Sequence, residues 1–222
     1  MSDICERRKQ ITEKIKIAAK QAGRAPAAVL LVAVSKRQTQ ARITAAWDAG
    51  QRVFGENQLQ EAQAHWAQRR KQNQPFQLHM IGHLQSNKAK AAVELFDVIE
   101  TVSSIKLAKA LDKAMLATQR RPQIYIQVNT GEEPQKQGVV ANELPALLQQ
   151  IRDETTLVVT GLMCIPPQNQ EPGLHFALLA KLAKRHQLPD LSMGMSEDFE
   201  TAVRFGASSV RVGSGLFGPR EN

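Results

Sequence analysis

The sequence predicts an α/β fold, a single closed (β/α)8 barrel of the TIM type, and three observations predict it. Short β-branched or apolar runs alternate with amphipathic helical patterns, which implies parallel strands joined by right-handed crossovers. Eight such runs follow one another at a spacing of roughly 20–30 residues, the count that closes a barrel. The composition is ordinary for a globular chain: of 222 residues, 42% are hydrophobic and 23% charged, enough to bury a core without staples.

A basic amphipathic helix comes first. Ile4, Ile11, Ile15, Ala18 and Ala22 recur at helical spacing, and Arg7, Arg8, Lys9, Lys14, Lys16, Lys20 and Arg24 occupy the other faces. The predicted strands are then Val29–Val34, Arg52–Phe54, Gln77–Ile81, Val98–Val102, Ile124–Val128, Val158–Met163, Leu191–Met193 and Ser209–Val212. Between them, Leu59, Ala62 and Trp66 share a helical face, as do Ile105, Ala108, Leu111 and Met115. Leu144, Leu147, Leu148 and Ile151 form the next, then Leu174, Leu178 and Leu182, then Phe199, Ala202 and Val203. Ser103 or Ser104, Asn142 and Ser196 offer N-caps, and Gly50 and Gly206 offer helix stops. Little chain follows the eighth strand, so its helix is expected to be short or missing. No low-complexity linker divides the chain, and one barrel over 1–222 is expected. A doubly wound open sheet is the structural alternative.

Several function classes recede at this point. No apolar run approaches the ~18 residues of a membrane span, and the polar start predicts no signal peptide. Cys5 and Cys164 make no Cys-x-x-Cys pair, so a reducing, cytoplasmic setting is expected. The excess of 29 basic over 21 acidic residues gives a net charge of +8, which suits an anionic partner or a solvated surface. Ten aromatic residues, 7 Phe, 2 Trp and 1 Tyr, leave few platforms for stacking nucleic-acid bases. Nucleic acid and membrane are therefore not expected partners, and no long apolar helix face is left over to demand an oligomer.

In a barrel, functional residues gather where strands end. Lys36 follows an apolar strand, and a partly desolvated lysine amine can attack an aldehyde to form a Schiff base. Gly213-Ser214-Gly215-Leu216-Phe217-Gly218 matches G-x-G-x-x-G, but no second strand and acidic residue follow as a dinucleotide site needs. What survives is a glycine-rich turn whose N–H groups can face an anion, with Ser196 as a hydroxyl at a helix N-terminus. Loops seven and eight are the frequent phosphate site of barrels. His79 and His83 are four apart on a strand and its loop, a poor zinc pair. His65, His175 and His186 are expected to be solvated, Glu56 to begin a helix or act as an acid or base, and Cys164 to be a buried small hydrophobe.

Five strings occur in order at these strand ends: Val32-Ala33-Val34-Ser35-Lys36, Phe54-Gly55-Glu56-Asn57, His79-Met80-Ile81-Gly82-His83-Leu84-Gln85-Ser86-Asn87-Lys88, Gly194-Met195-Ser196-Glu197-Asp198 and Val210-Arg211-Val212-Gly213-Ser214-Gly215-Leu216-Phe217-Gly218. Together they resemble the pyridoxal 5′-phosphate homeostasis proteins over nearly the whole chain, a family similar in fold to the N-terminal barrel of alanine racemase. The resemblance implies a carrier and regulator of pyridoxal 5′-phosphate with no established turnover, whose partners are the cofactor and the apo-enzymes that depend on it; the lack of a left-over apolar helix face leads to the expectation of a monomer. It matches Lys36 to the lysine that holds the cofactor as an internal aldimine. Ser196 and the backbone at Gly213 and Ser214 match the phosphate cradle, and Arg211 the arginine facing the pyridine nitrogen. Asn57 and His79 match positions lining the pocket. The family usually has proline where His83 stands and often threonine where Ser214 stands; serine keeps the hydroxyl. An amino-acid racemase or weak lyase is the alternative. Racemase relatives draw a catalytic tyrosine from a second domain, whereas Tyr125 lies inside predicted strand five.

Overall fold

The computed structural model describes residues 3–219. Its nine strands are β1 Leu30–Val34, β2 Val53–Glu56, β3 Gln77–Met80, β4 Val98–Val102, β5 Gln123–Asn129, β6 Val139–Val140, β7 Val159–Cys164, β8 Asp190–Ser192 and β9 Ser209–Val212. All pair in parallel in the order β4-β3-β2-β1-β9-β8-β7-β5, and a β4–β5 pairing closes the ring, so the expected eight-stranded barrel is present. The two-residue β6, which the sequence does not predict, adds to β5 at its C-terminal end, where Val128 and Asn129 meet Val139 and Val140. Two strands match their predicted bounds, and the other six differ by one or two residues at their ends.

The helices are α1 Asp3–Gln21, α2 Gln40–Asp48, α3 Leu59–Lys71, α4 Ala89–Leu95, α5 Ile105–Thr118, α6 Leu144–Glu154, α7 Pro172–His186, α8 Phe199–Arg204 and α9 Ser214–Phe217. The last, four residues long, is the expected short terminal helix. Ser104 caps α5 by accepting from the Leu107 N–H. Asn142 and Ser196 are not caps: Glu143 precedes α6 and Asp198 precedes α8. The apolar face of α7 is rotated from expectation. Leu174 is exposed, while Phe176, Leu179, Leu182 and Ala183 are buried. His175 is buried with them, bonded to Thr130 and Gln170, rather than solvated. Pro172 fixes the start of α7, and that start sets which face turns inward.

Period-two alternation divides the strand side chains between two compartments. Phe54, Leu78, Ile99, Ile124, Ile126, Leu162, Val210 and Val212 face outward into the shell beneath the helices. The opposite set fills the lumen. A Cβ at Gly55 would touch Val32 and Ile81, and one at Gly161 would press on Tyr125 and Asp190. These glycines leave room for larger neighbours across the barrel.

Candidate functional site

The lumen carries a polar network that links the paired strands β3 and β4 to the paired strands β8 and β9 across the ring. His79 Nδ1 on β3 lies 2.5 Å from Glu100 Oε1 on β4, and Ser192 Oγ on β8 donates to Glu100 Oε2 at 2.5 Å. Arg211 on β9 donates to Ser192 Oγ and, at 2.8 Å, to the Cys164 carbonyl, and its Nη1 stands 3.7 Å from Glu100 Oε2. Glu100 is wholly buried. Burial opposes its ionisation, but the hydrogen bond and charge of His79, then Arg211 and Ser192, outweigh burial and hold its carboxyl below the usual carboxylate range. An ionised Glu100 makes His79 Nδ1 the donor, which leaves Nε2 turned away from the carboxylate. That Nε2 is buried and has no partner among the described residues.

Around this network, the C-terminal rim brings the expected residues into one arc. His79 on β3, Asn57 after β2, Lys36 after β1, Gly213 and Ser214 after β9 and Ser196 after β8 follow five strands that are consecutive in the ring. The joins are tight. A Cβ at Gly82 would lie 2.2 Å from the Asn57 carbonyl oxygen, so only glycine lets the loop after β3 close on the loop after β2. A Cβ at Gly213 would reach Val34 at 3.5 Å, which sets the last loop beside the strand that delivers Lys36. Gly215 N–H donates to Ser196 Oγ at 3.3 Å, tying the loops after β8 and β9 together. Ser196 therefore acts through α9 rather than as the N-cap expected of it. Gly213, Ser214 and Gly215 open the first turn of α9, where backbone N–H groups have no helical acceptor.

Other expectations need correction. Glu56 neither begins a helix nor faces the arc: it ends β2, is fully buried, and points outward to α3. Its Oε1 accepts from Ser35 Oγ at 2.6 Å and Trp66 Nε1 at 3.0 Å, and meets His65 Nδ1 at 2.9 Å. His65 is thus half-buried and paired, and the Glu56 hydrogen bond raises its pKa against the effect of burial. Cys164 is buried as expected, and burial pushes its thiol up to about 12. Tyr125 lies in the lumen, hydrogen-bonded to Asp190, and burial first of all pushes its phenol well above the usual value. Lys136 pairs with Glu133 at 2.5 Å and donates to the Pro166 carbonyl at 3.3 Å. A recess of about 460 Å³ opens beside the arc, between the loop His83–Asn87 and the start of α5.

Glu100 and Ser192 are the functional candidates that the sequence reading missed. The available signal was one charge, and one hydroxyl, inside otherwise apolar strands. The same structure suits an anionic aldehyde cofactor: an amine at the rim, a glycine-rich turn tied to Ser196, and a buried imidazole nitrogen without a partner among the described residues. Among the described residues no helix is long and apolar enough to cross a membrane.

The family described as alanine racemase, N-terminal domain, matches residues 7–221. A pyridoxal phosphate homeostasis protein of Pseudomonas aeruginosa is 38% identical over 226 residues, covering 100% of this chain and 97% of that one. The protein of that description from Escherichia coli K12 is 34% identical over 232 residues, covering 100% and 98%. The structure of PipY from Synechococcus elongatus with PLP bound is 38% identical, with a TM-score of 0.80, over 97% of this chain and all of that one. Alanine racemase from Corynebacterium glutamicum, 20% identical with a TM-score of 0.66 over 61% of its length, shares the fold. The strand-end motifs, the closed barrel and full-length identity agree, and the chain belongs to the pyridoxal phosphate homeostasis protein family.

Proposed function

We propose that this protein, as a single barrel domain and a monomer in the cytoplasm, binds pyridoxal 5′-phosphate through a Schiff base at Lys36. It buffers or delivers the cofactor and does not turn over a substrate. The observation that carries the reading is the arc of Lys36, Asn57, His79, Ser196, Arg211, Gly213 and Ser214 over consecutive strand ends and the lumen beneath them. The PLP-bound structure of the PipY relative supports it. The cofactor supplies an aldehyde able to condense with a primary amine. Lys36 offers that amine from a half-buried position directly after β1. Ser196 and the N–H groups that open α9 bind the phosphate, the open end of a short helix being suited to an anion. His79 Nε2 offers a hydrogen-bonding nitrogen to the pocket, and Asn57 shapes its wall.

An arginine guanidinium is a cation. Placed toward the pyridine nitrogen, Arg211 would keep a proton off that atom and weaken the ring as an electron sink. That favours holding over carbanion chemistry. Tyr125, buried and bonded to Asp190, is unsuited to serve as a racemase acid or base. These features support a carrier, and recipient apo-enzymes are its expected partners.

The test is a visible spectrum followed by borohydride reduction and peptide mapping. The protein should be yellow and the reduced label should map to Lys36. A Lys36→Ala variant that keeps the same absorbance band and label refutes the assignment. Steady conversion of L-amino acids above the rate of free cofactor refutes the absence of turnover.

A further inference from the structure

Both chain neighbours of Lys36 are held by groups that the cofactor reading does not use. Ser35 donates its N–H to the Gly55 carbonyl at 3.0 Å and its hydroxyl to Glu56 at 2.6 Å. Arg37 donates its N–H to the Glu61 carboxylate on α3. Arg37 has φ +56°, the left-handed region that a non-glycine residue enters only when its surroundings compel it. The Gln38 N–H closes the turn on the Ser35 carbonyl at 3.1 Å. The imidazole of His65 on α3 meets the same Glu56 carboxylate at 2.9 Å.

We propose that Glu56, Glu61 and His65 are positioning residues for Lys36, a clasp from β2 and α3 that fixes the turn Ser35–Gln38. Glu61 accepts from the Arg37 N–H on one side of Lys36, and Glu56 accepts from the Ser35 hydroxyl on the other. His65 Nδ1 meets the Glu56 carboxylate at 2.9 Å and so holds it toward Ser35. Glu56, Glu61 and His65 offer atoms within 4.8 Å of one another, and here the contacts to Ser35, Trp66 and Arg37 engage Glu56 Oε1 and Glu61.

The clasp itself is independent of any ligand, while its role for Lys36 rests on the proposed cofactor reading. Glu61 and His65 are only partly buried, so substituting them spares the core, unlike Glu56. In the ligand-free protein, amide exchange at Arg37 should be about tenfold faster in Glu61→Ala, the effect of losing one charge-assisted hydrogen bond. Glu61→Gln, which still accepts, should restore protection. With pyridoxal 5′-phosphate, borohydride labelling of Lys36 should slow about tenfold in Glu61→Ala and recover in Glu61→Gln. Unchanged exchange and labelling in Glu61→Ala overturn the clasp. Altered exchange with unchanged labelling overturns its role for Lys36. Wild-type label on another lysine overturns the cofactor reading and leaves the exchange result standing.

Discussion

Replacing Arg211 with methionine removes the guanidinium that stands 3.7 Å from Glu100 while keeping most of the side-chain volume. At an effective dielectric of about 20, opposite charges at that distance attract by about 4.5 kcal/mol. Breaking one side of a buried pair typically costs about 3–5 kcal/mol, because the remaining charge has lost its partner in a dry site. Glu100 has no exposed surface, so the upper half of that range applies, roughly 10 °C of Tm for a chain of this length. The effect must depend on pH. In the wild type the Glu100 carboxyl lies below its ordinary value. Its contribution is therefore present above the unfolded value of about 4.3 and is lost as pH falls through the lower folded value. In the variant the folded value rises, so the deficit is largest at neutral pH and shrinks in acid. Urea unfolding at several pH values measures this, and adding Glu100→Gln to the variant should recover much of the loss. A destabilisation below about 1 kcal/mol, constant with pH and unaffected by Glu100→Gln, would refute the buried-pair argument.

Gly82→Ala should lower stability by about 1–3 kcal/mol and weaken pyridoxal 5′-phosphate binding, since the new Cβ collides with the Asn57 backbone; denaturation and a spectroscopic titration read the two effects. Ser196→Ala should weaken cofactor binding by about tenfold through loss of one hydroxyl at the proposed phosphate loop, and should leave binding of unphosphorylated pyridoxal unchanged. His65→Phe should be less stable than wild type near pH 6 and approach it at higher pH. The raised folded pKa of His65 gives stability that is present below the unfolded value of about 6.5 and is lost as pH rises through the folded one. Cys164 should react with a thiol reagent only on unfolding, given its burial and raised pKa; rapid modification in the native protein would contradict its packing beneath the helices.

The barrel was legible because strand and helix alternate with little interruption, and because each buried strand is a run such as Val98-Ile99-Glu100-Thr101-Val102. The rim residues were legible because motifs mark strand ends. Lateral relations were not. Glu100 joins Ser192 across 92 positions of sequence, and only ring closure brings those strands face to face. The outward turn of Glu56 depends on whether β2 stops before or after Gly55, and the expected end at Phe54 hid it. His175 was misread because polar neighbours suggest solvent, whereas the start of α7 at Pro172 rotates the histidine inward. The clasp on Lys36 was invisible for a different reason: it works through the backbone N–H of Arg37 and the turn closed on the Ser35 carbonyl, which carry no side-chain signature.

Ring closure also dictates a schedule. The seam joins β1 to β9, pairing Leu30 with Ser209 and Ala33 with Val212, and α1 leans against α8 and α9. Contacts this distant in sequence form late in folding. On a ribosome, Lys36 emerges 178 residues before Ser214. The rim that carries both is thus complete only after β9 has emerged, and a stalled product would present Lys36 without the loop that follows β9.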